Sequence, residues 1–222
     1  MRSRIGALCA VLLAGAAAGQ ALPSAPPASA WTIVDAHTAE ADGRRRKASD
    51  DSRGLFIGFS QCLLSRRRAG ADAVMATPPG PAADAAAAKL IDEACLGGGT
   101  IAFPVSLVRG GLWVARYRRD YASAAPALAP TAPDLAAGIP ADDRRDRTVF
   151  LRQVSDCLLR ADPADARTAL TAGVGSTREL AAYAGLQAHL QHCSPQRPVR
   201  FSKAMLAGLL AEVSVLEATA HR

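Results

Sequence analysis

Few residues in this chain are of a type and spacing that could do chemistry. His189 and His192 stand three apart, directly before Cys193. On a helix that spacing turns two imidazoles to one side, which is how a metal site can begin. No carboxylate completes the set, because Glu179 lies ten residues upstream. The pair reads as polar surface, and no metal is assigned. Ser60 and Ser155 are the serines with repeated surroundings. A nucleophilic serine needs a base and an orienting acid, and neither serine lies in a GxSxG elbow. Gly97-Gly98-Gly99 lacks the GK[ST] ending of a phosphate loop. Asp92-Glu93 and Asp142-Asp143 are adjacent pairs, which point apart on a helix. These observations weigh against an enzyme, imply no cofactor and assign no catalytic residue.

The cysteines carry a structural chemistry instead. Cys62, Cys95, Cys157 and Cys193 remain once Cys9 is set aside as part of an N-terminal signal. An even number in an exported chain points to disulfides, and four cysteines allow three pairings. No CxxC pair is present for zinc or for haem attachment. Free buried thiols are the other reading.

The signal is read from residues 1–21. Arg2 and Arg4 precede an apolar run over 5–18, which is too short to span a bilayer with margin. Gly19-Gln20-Ala21 offers small residues for cleavage; Ala28-Ser29-Ala30 is the competing site, a better match farther from the apolar run. Removing Arg2 and Arg4 from the 26 basic residues leaves 24 against 20 acidic ones, a net charge of +4. No later segment reaches transmembrane length, so the expected location is periplasmic or secreted. The positive charge is almost all arginine, in clusters such as Arg66-Arg67-Arg68 and Arg116/Arg118/Arg119. Acids interleave several of the clusters and aromatics are scarce beside them, so they read as solvated charge, with no nucleic-acid partner.

The elements that must position these residues come as a duplicated unit. Ser60-Gln61-Cys62-Leu63-Leu64 returns 95 residues later as Ser155-Asp156-Cys157-Leu158-Leu159. Cys95, Phe103, Gly110 and Leu112 return with an offset of 98 as Cys193, Phe201, Gly208 and Leu210. Internal repeats decide architecture. The expectation is all-α: two tandem helical units of about four helices each, packed as a pseudo-repeat. Unit one spans 53–121 and unit two 148–222. A flexible segment over 22–52 precedes them, and an extended Ala/Pro-rich linker over 122–147 joins them. Duplication favours Cys62–Cys95 and Cys157–Cys193, since an ancestral unit had one pair to form. Each bridge would stabilise by roughly 3–4 kcal/mol in the chain-entropy model.

In detail, Phe56, Phe59 and Leu63 step by three or four, as do Leu151, Val154 and Leu158. Asp162-Pro163 reads as a helix start, and Ser176 with Glu179 as a capping box. Residues 82–95 read as one alanine-rich helix, and Phe201-Ser202 as the start of the last one.

The final helix of each unit holds Gly110 and Gly208 at matching places. Glycine within a helix costs about 0.5–1 kcal/mol relative to alanine, and close approach of another backbone can recover it. The expectation is that these helices meet around the two glycines, bringing Arg109 of one unit near Glu212 of the other. The pattern Cys-Leu-Leu, Cys, Phe and Gly-x-Leu resembles that of a family of small exported, alanine-rich alphaproteobacterial proteins. Their final helix reads Arg-Gly-x-Leu-Ala-Glu-x-Leu-Tyr. That family has no assigned activity, so the resemblance implies none. This chain splits the motif: the first unit has Arg109 but Val114 at the glutamate position, and the second has Glu212 but Ala207 at the arginine position.

The leading functional expectation is a non-enzymatic protein that binds another protein or the cell envelope. The alternative is a small-molecule binder with a pocket between the units, lined by Trp113, Tyr117 and Met205.

Overall fold

The computed structural model describes residues 32–34, 43–97, 103–128, 130, 133–142 and 145–219. The signal segment 1–21 lies outside them, as do Gly98, Gly99 and Asp143 and the side chains of 43–46. Eight α-helices and two three-residue strands occur among the described residues, and the fold is all-α.

The first four helices are α1 (Gly43–Arg66), α2 (Arg68–Ala76), α3 (Pro81–Leu90) and α4 (Ser106–Tyr121). The second four are α5 (Arg145–Ala161), α6 (Pro163–Thr171), α7 (Thr177–Cys193) and α8 (Lys203–Thr219). Local chemistry sets several ends. Pro81 and Pro163 occupy first turns, where a missing N–H costs nothing. Asp162 caps α6 by accepting from the Asp165 N–H at 2.9 Å, and Ser176 caps α7 by accepting from Glu179 N–H at 3.2 Å.

Both expected bridges are present. Cys62–Cys95 and Cys157–Cys193 each hold their Cα atoms 5.6 Å apart. Each joins a unit's first helix to the stretch before its last. No helix among the described residues is long and apolar enough to cross a membrane.

Several expectations change. Residues 43–52 are helical and not a flexible lead-in. Arg53 bonds both Asp50 within α1 and Glu179 on α7, which anchors this polar end. The alanine-rich helix stops at Leu90, and Glu93–Cys95 is a separate 3₁₀ turn. There the Asp92 carboxylate accepts from Ala94 N–H at 3.0 Å, a local bond that competes with helix. Phe201 and Ser202 belong to strand β2 (Arg200–Ser202), which pairs in parallel with β1 (Thr32–Val34). The pairing sets Ile33 beside Phe201, so chain from before unit one adds to unit two.

The linker is packed over part of its length. A turn over 135–138 buries Leu135 at its start and Ile139 directly after it. Their carbonyls accept from Arg152 and Arg145. Both halves feed one hydrophobic core, with Leu63 and Leu112 from the first and Leu158, Leu186 and the strand residue Phe201 from the second all fully enclosed. The most extensive helix pair is α4 with α8, one from each half.

Candidate functional site

The site begins with a backbone contact. Gly110 of α4 and Gly208 of α8 face each other where the halves meet. A Cβ built on Gly208 would lie 2.7 Å from Gly110 Cα, closer than real Cβ atoms come. A Cβ on Gly110 would lie 3.4 Å from Gly208 Cα. Glycine at both places lets the helices cross this tightly.

That crossing brings Arg109 to Glu212. Arg109 donates through Nη1 to Oε2 at 2.7 Å and through Nη2 to Oε1 at 3.0 Å, a two-pronged pair. Its Nε donates to the Thr77 carbonyl and its Nη2 also to the Met75 carbonyl, both at 3.1 Å. These carbonyls end α2, where a cation complements the helix dipole. Arg152 of α5 then donates through Nη2 to Glu212 Oε1 and through Nη1 to the Leu135 carbonyl at 2.9 Å. Glu212 is 3% exposed. Burial pushes its pKa up, but the hydrogen bonds and charges of Arg109 and Arg152 outweigh this and hold it below the usual carboxylate value. The carboxylate is therefore charged, saturated with donors and not free to act as a base.

Two grooves open beside this cluster. The first is roughly 310 Å³, with Leu107, Leu151, Met205 and Leu209 in its walls and Arg109 and Glu212 lining it as well. The second is roughly 430 Å³ and is lined by Met75, Trp113, Pro133, Arg152 and Leu216, again with Arg109. Arg109 and Arg116 sit over the Trp113 ring at 5.7 and 5.9 Å from its centroid, in cation–π range.

Neither groove brings together Trp113, Tyr117 and Met205, the residues expected to line a pocket. Met205 lines the first groove and Trp113 the second. Tyr117 is buried and lines neither; it packs against Tyr121 with ring centroids 5.6 Å apart, and burial raises its phenol pKa.

The other chemical candidates are placed plainly. Ser60 and Ser155 are fully buried and donate to Phe56 and Leu151 carbonyls on their own helices, each at 2.9 Å. His189 is half-buried and His192 exposed on α7. No group of three or more His, Cys, Asp or Glu side chains able to hold a metal occurs among the described residues.

Sequence reasoning missed two further ion pairs, one buried on both sides and one with a partly exposed arginine. Arg53 reaches across to Glu179, with Nη2 to Oε2 at 2.7 Å. Burial works against the Arg53 charge, but its bond to Glu179, the nearby Tyr183 and Asp50 outweigh that and raise its pKa. Glu179 also accepts from Gly175 N–H at 2.7 Å. A capping box would send it to the Ser176 N–H, but that N–H donates to the Gly173 carbonyl at 3.1 Å. Arg160 bonds Glu217 at 2.5 Å and Asp156 at 3.0 Å. The one sequence signal for Arg152 was its place in the repeat, where the first unit has Ile57. No family model, curated protein or solved structure matches this chain.

Proposed function

We propose that this chain is an exported, non-enzymatic protein of the periplasm or envelope that binds a small molecule at the seam between its halves. The observation that carries the reading is the pair of grooves beside Arg109, Glu212 and Arg152. Their volumes, roughly 310 and 430 Å³, fall in the usual range for small-molecule sites. Mostly apolar walls with a few fixed polar groups are also the usual composition of such sites. Support for non-catalytic binding comes from the charged groups themselves, which are occupied by one another.

The protein-partner reading draws less from the surface. Large apolar side chains exposed among the described residues are Leu55 and Ile91, and two side chains do not make a patch. Disulfides fit an oxidising compartment.

Native mass spectrometry of freshly purified mature protein tests the proposal, together with a thermal-shift screen of charged and neutral small molecules. A co-purified mass or a class of stabilising compounds is the expected result. If neither is found and an envelope extract yields a stoichiometric protein partner, the protein-binding reading replaces this one.

A further inference from the structure

The sequence holds three methionines, and Met1 falls in the signal segment. The other two each stand in the wall of one groove: Met75 in the 430 Å³ groove and Met205 in the 310 Å³ groove. Methionine fills irregular apolar gaps well, and its thioether is open to mild oxidants. The four cysteines after the signal segment are tied in two disulfides, so no thiol among the described residues competes for an oxidant.

The two methionines differ in exposure. Met75 is 2% exposed in the last turn of α2, where Arg109 donates to its carbonyl. Met205 is half-buried in the first turn of α8, one turn before Leu209. Leu107, Leu151 and Leu209 complete the apolar part of its wall. The charged side chains of that lining are Arg109 and Glu212, which bond each other, and Asp84. Susceptibility of sulfur to oxidation follows its exposure, so the fold protects Met75 and leaves Met205 open.

We propose that Met205 is an oxidation site of the folded protein, and that its sulfoxide turns the first groove against apolar ligands. A peroxide supplies the oxygen. The thioether lone pair attacks one peroxide oxygen, the O–O bond breaks as the S–O bond forms, and water leaves after proton transfer. Sulfur is oxidised and the peroxide is reduced, so no other reactant is needed. The product is polar where the thioether was apolar. An apolar ligand then strips the new oxygen of water without returning a hydrogen bond, which weakens binding. Enzymes that reduce methionine sulfoxide restore the thioether, so the change is reversible. The oxidation site stands on exposure alone; its effect on the groove rests on the small-molecule reading above and adds regulation to it.

Peroxide treatment of the mature, disulfide-bonded protein, followed by peptide mass mapping, tests the oxidation site. Met205 should gain an oxygen at least about tenfold faster than Met75, and in urea the two rates should converge. Equal rates in the native protein, or a difference that persists in urea, overturn it. Octanol titration tests the effect on the groove. The oxidised protein and Met205→Gln, which sets a polar amide at the same place, should each bind octanol about tenfold more weakly than the parent. Met205→Leu keeps the wall apolar and should bind octanol as the parent does, before and after peroxide. Unchanged affinity in Met205→Gln and in the oxidised protein, or an equal loss in peroxide-treated Met205→Leu, overturns the effect on the groove. If octanol binds none of these forms, that effect falls while the oxidation site stands, and the native mass spectrum decides the broader reading separately.

Discussion

Gly110 and Gly208 meet backbone to backbone, and the contact is unequal. A Cβ on Gly208 would fall 2.7 Å from Gly110 Cα, whereas one on Gly110 would fall 3.4 Å from Gly208 Cα. Backbone is the neighbour in both cases, so a clash has no side chain to push aside. Gly208→Ala should therefore destabilise by about 1–3 kcal/mol. Gly110→Ala meets only ordinary contact and gains helix propensity, so it should be neutral or stabilise by up to about 1 kcal/mol. Urea unfolding of the two variants checks this, and equal losses would show that the helices cross elsewhere.

Removing the carboxylate of the seam cluster should cost more than removing one of its arginines. Glu212→Gln leaves Arg109 and Arg152 enclosed without a counter-charge, a loss of about 3–5 kcal/mol. Arg152→Met leaves Arg109 and Glu212 as a balanced pair and should cost about 1–3 kcal/mol, the bonds to Glu212 and to the Leu135 carbonyl. The measurement is again equilibrium unfolding. A reversed order would mean that Glu212 is not the centre of the cluster.

The same carboxylate should make the protein acid-sensitive. Its folded pKa lies below the ordinary value of 4.5. A depressed carboxylate contributes stability that is fully present above its unfolded pKa and lost as pH falls through its folded pKa. Stability of the parent should then decline below about pH 4.5. Glu212→Gln, although weaker at neutral pH, should decline less steeply over that acid window. Unfolding free energies measured from pH 7 down to about pH 3 check the slopes; parallel slopes would show that Glu212 does not titrate in this way.

Each disulfide should stabilise its half by a similar amount. The bridges close sequence separations of 33 and 36 residues. The chain-entropy model gives roughly 3–4 kcal/mol for loops of that size. Paired Cys→Ser replacement at 62/95 or at 157/193 should lower stability by about that much, read from urea midpoints. Loss of under about 1 kcal/mol in either would mean that the reduced chain already holds those helices together.

Cleavage between the halves should not separate them. Residues 122–125 are exposed, while Leu135 and Ile139 are buried. Elastase should nick the alanine-rich stretch near 122–125 before the turn at 135–138. The fragments should still co-elute on gel filtration under non-denaturing conditions, since α4 and α8 bury a shared face. Elution as two separate folded fragments would show autonomous units.

The all-helical class was legible because it is written in short-range terms. Apolar residues at spacings of three and four, Asp162 before Pro163 and Ser176 before Glu179 act within a turn or two of chain. The bridges were legible for a different reason: a duplicated Cys…Cys spacing left one self-consistent pairing. Gly110 and Gly208 were readable because a glycine that recurs at the same place in two helices is a local cost that a tertiary contact can offset. Partnerships between distant residues were not legible. Arg53 with Glu179, 126 positions apart, and Arg160 with Glu217 carry no mark in the sequence that says which arginine meets which acid. The packed turn at 135–138 was hidden for the same reason, because its composition is that of an extended linker and its burial comes from Arg152 and the shared core. Local propensities determined the helices, and the recurring cysteine spacing pointed to their staples. Long-range packing alone decided which charges were enclosed together, and so where the grooves lie, because the desolvation that gives a charge its weight exists only once the chain has closed around it.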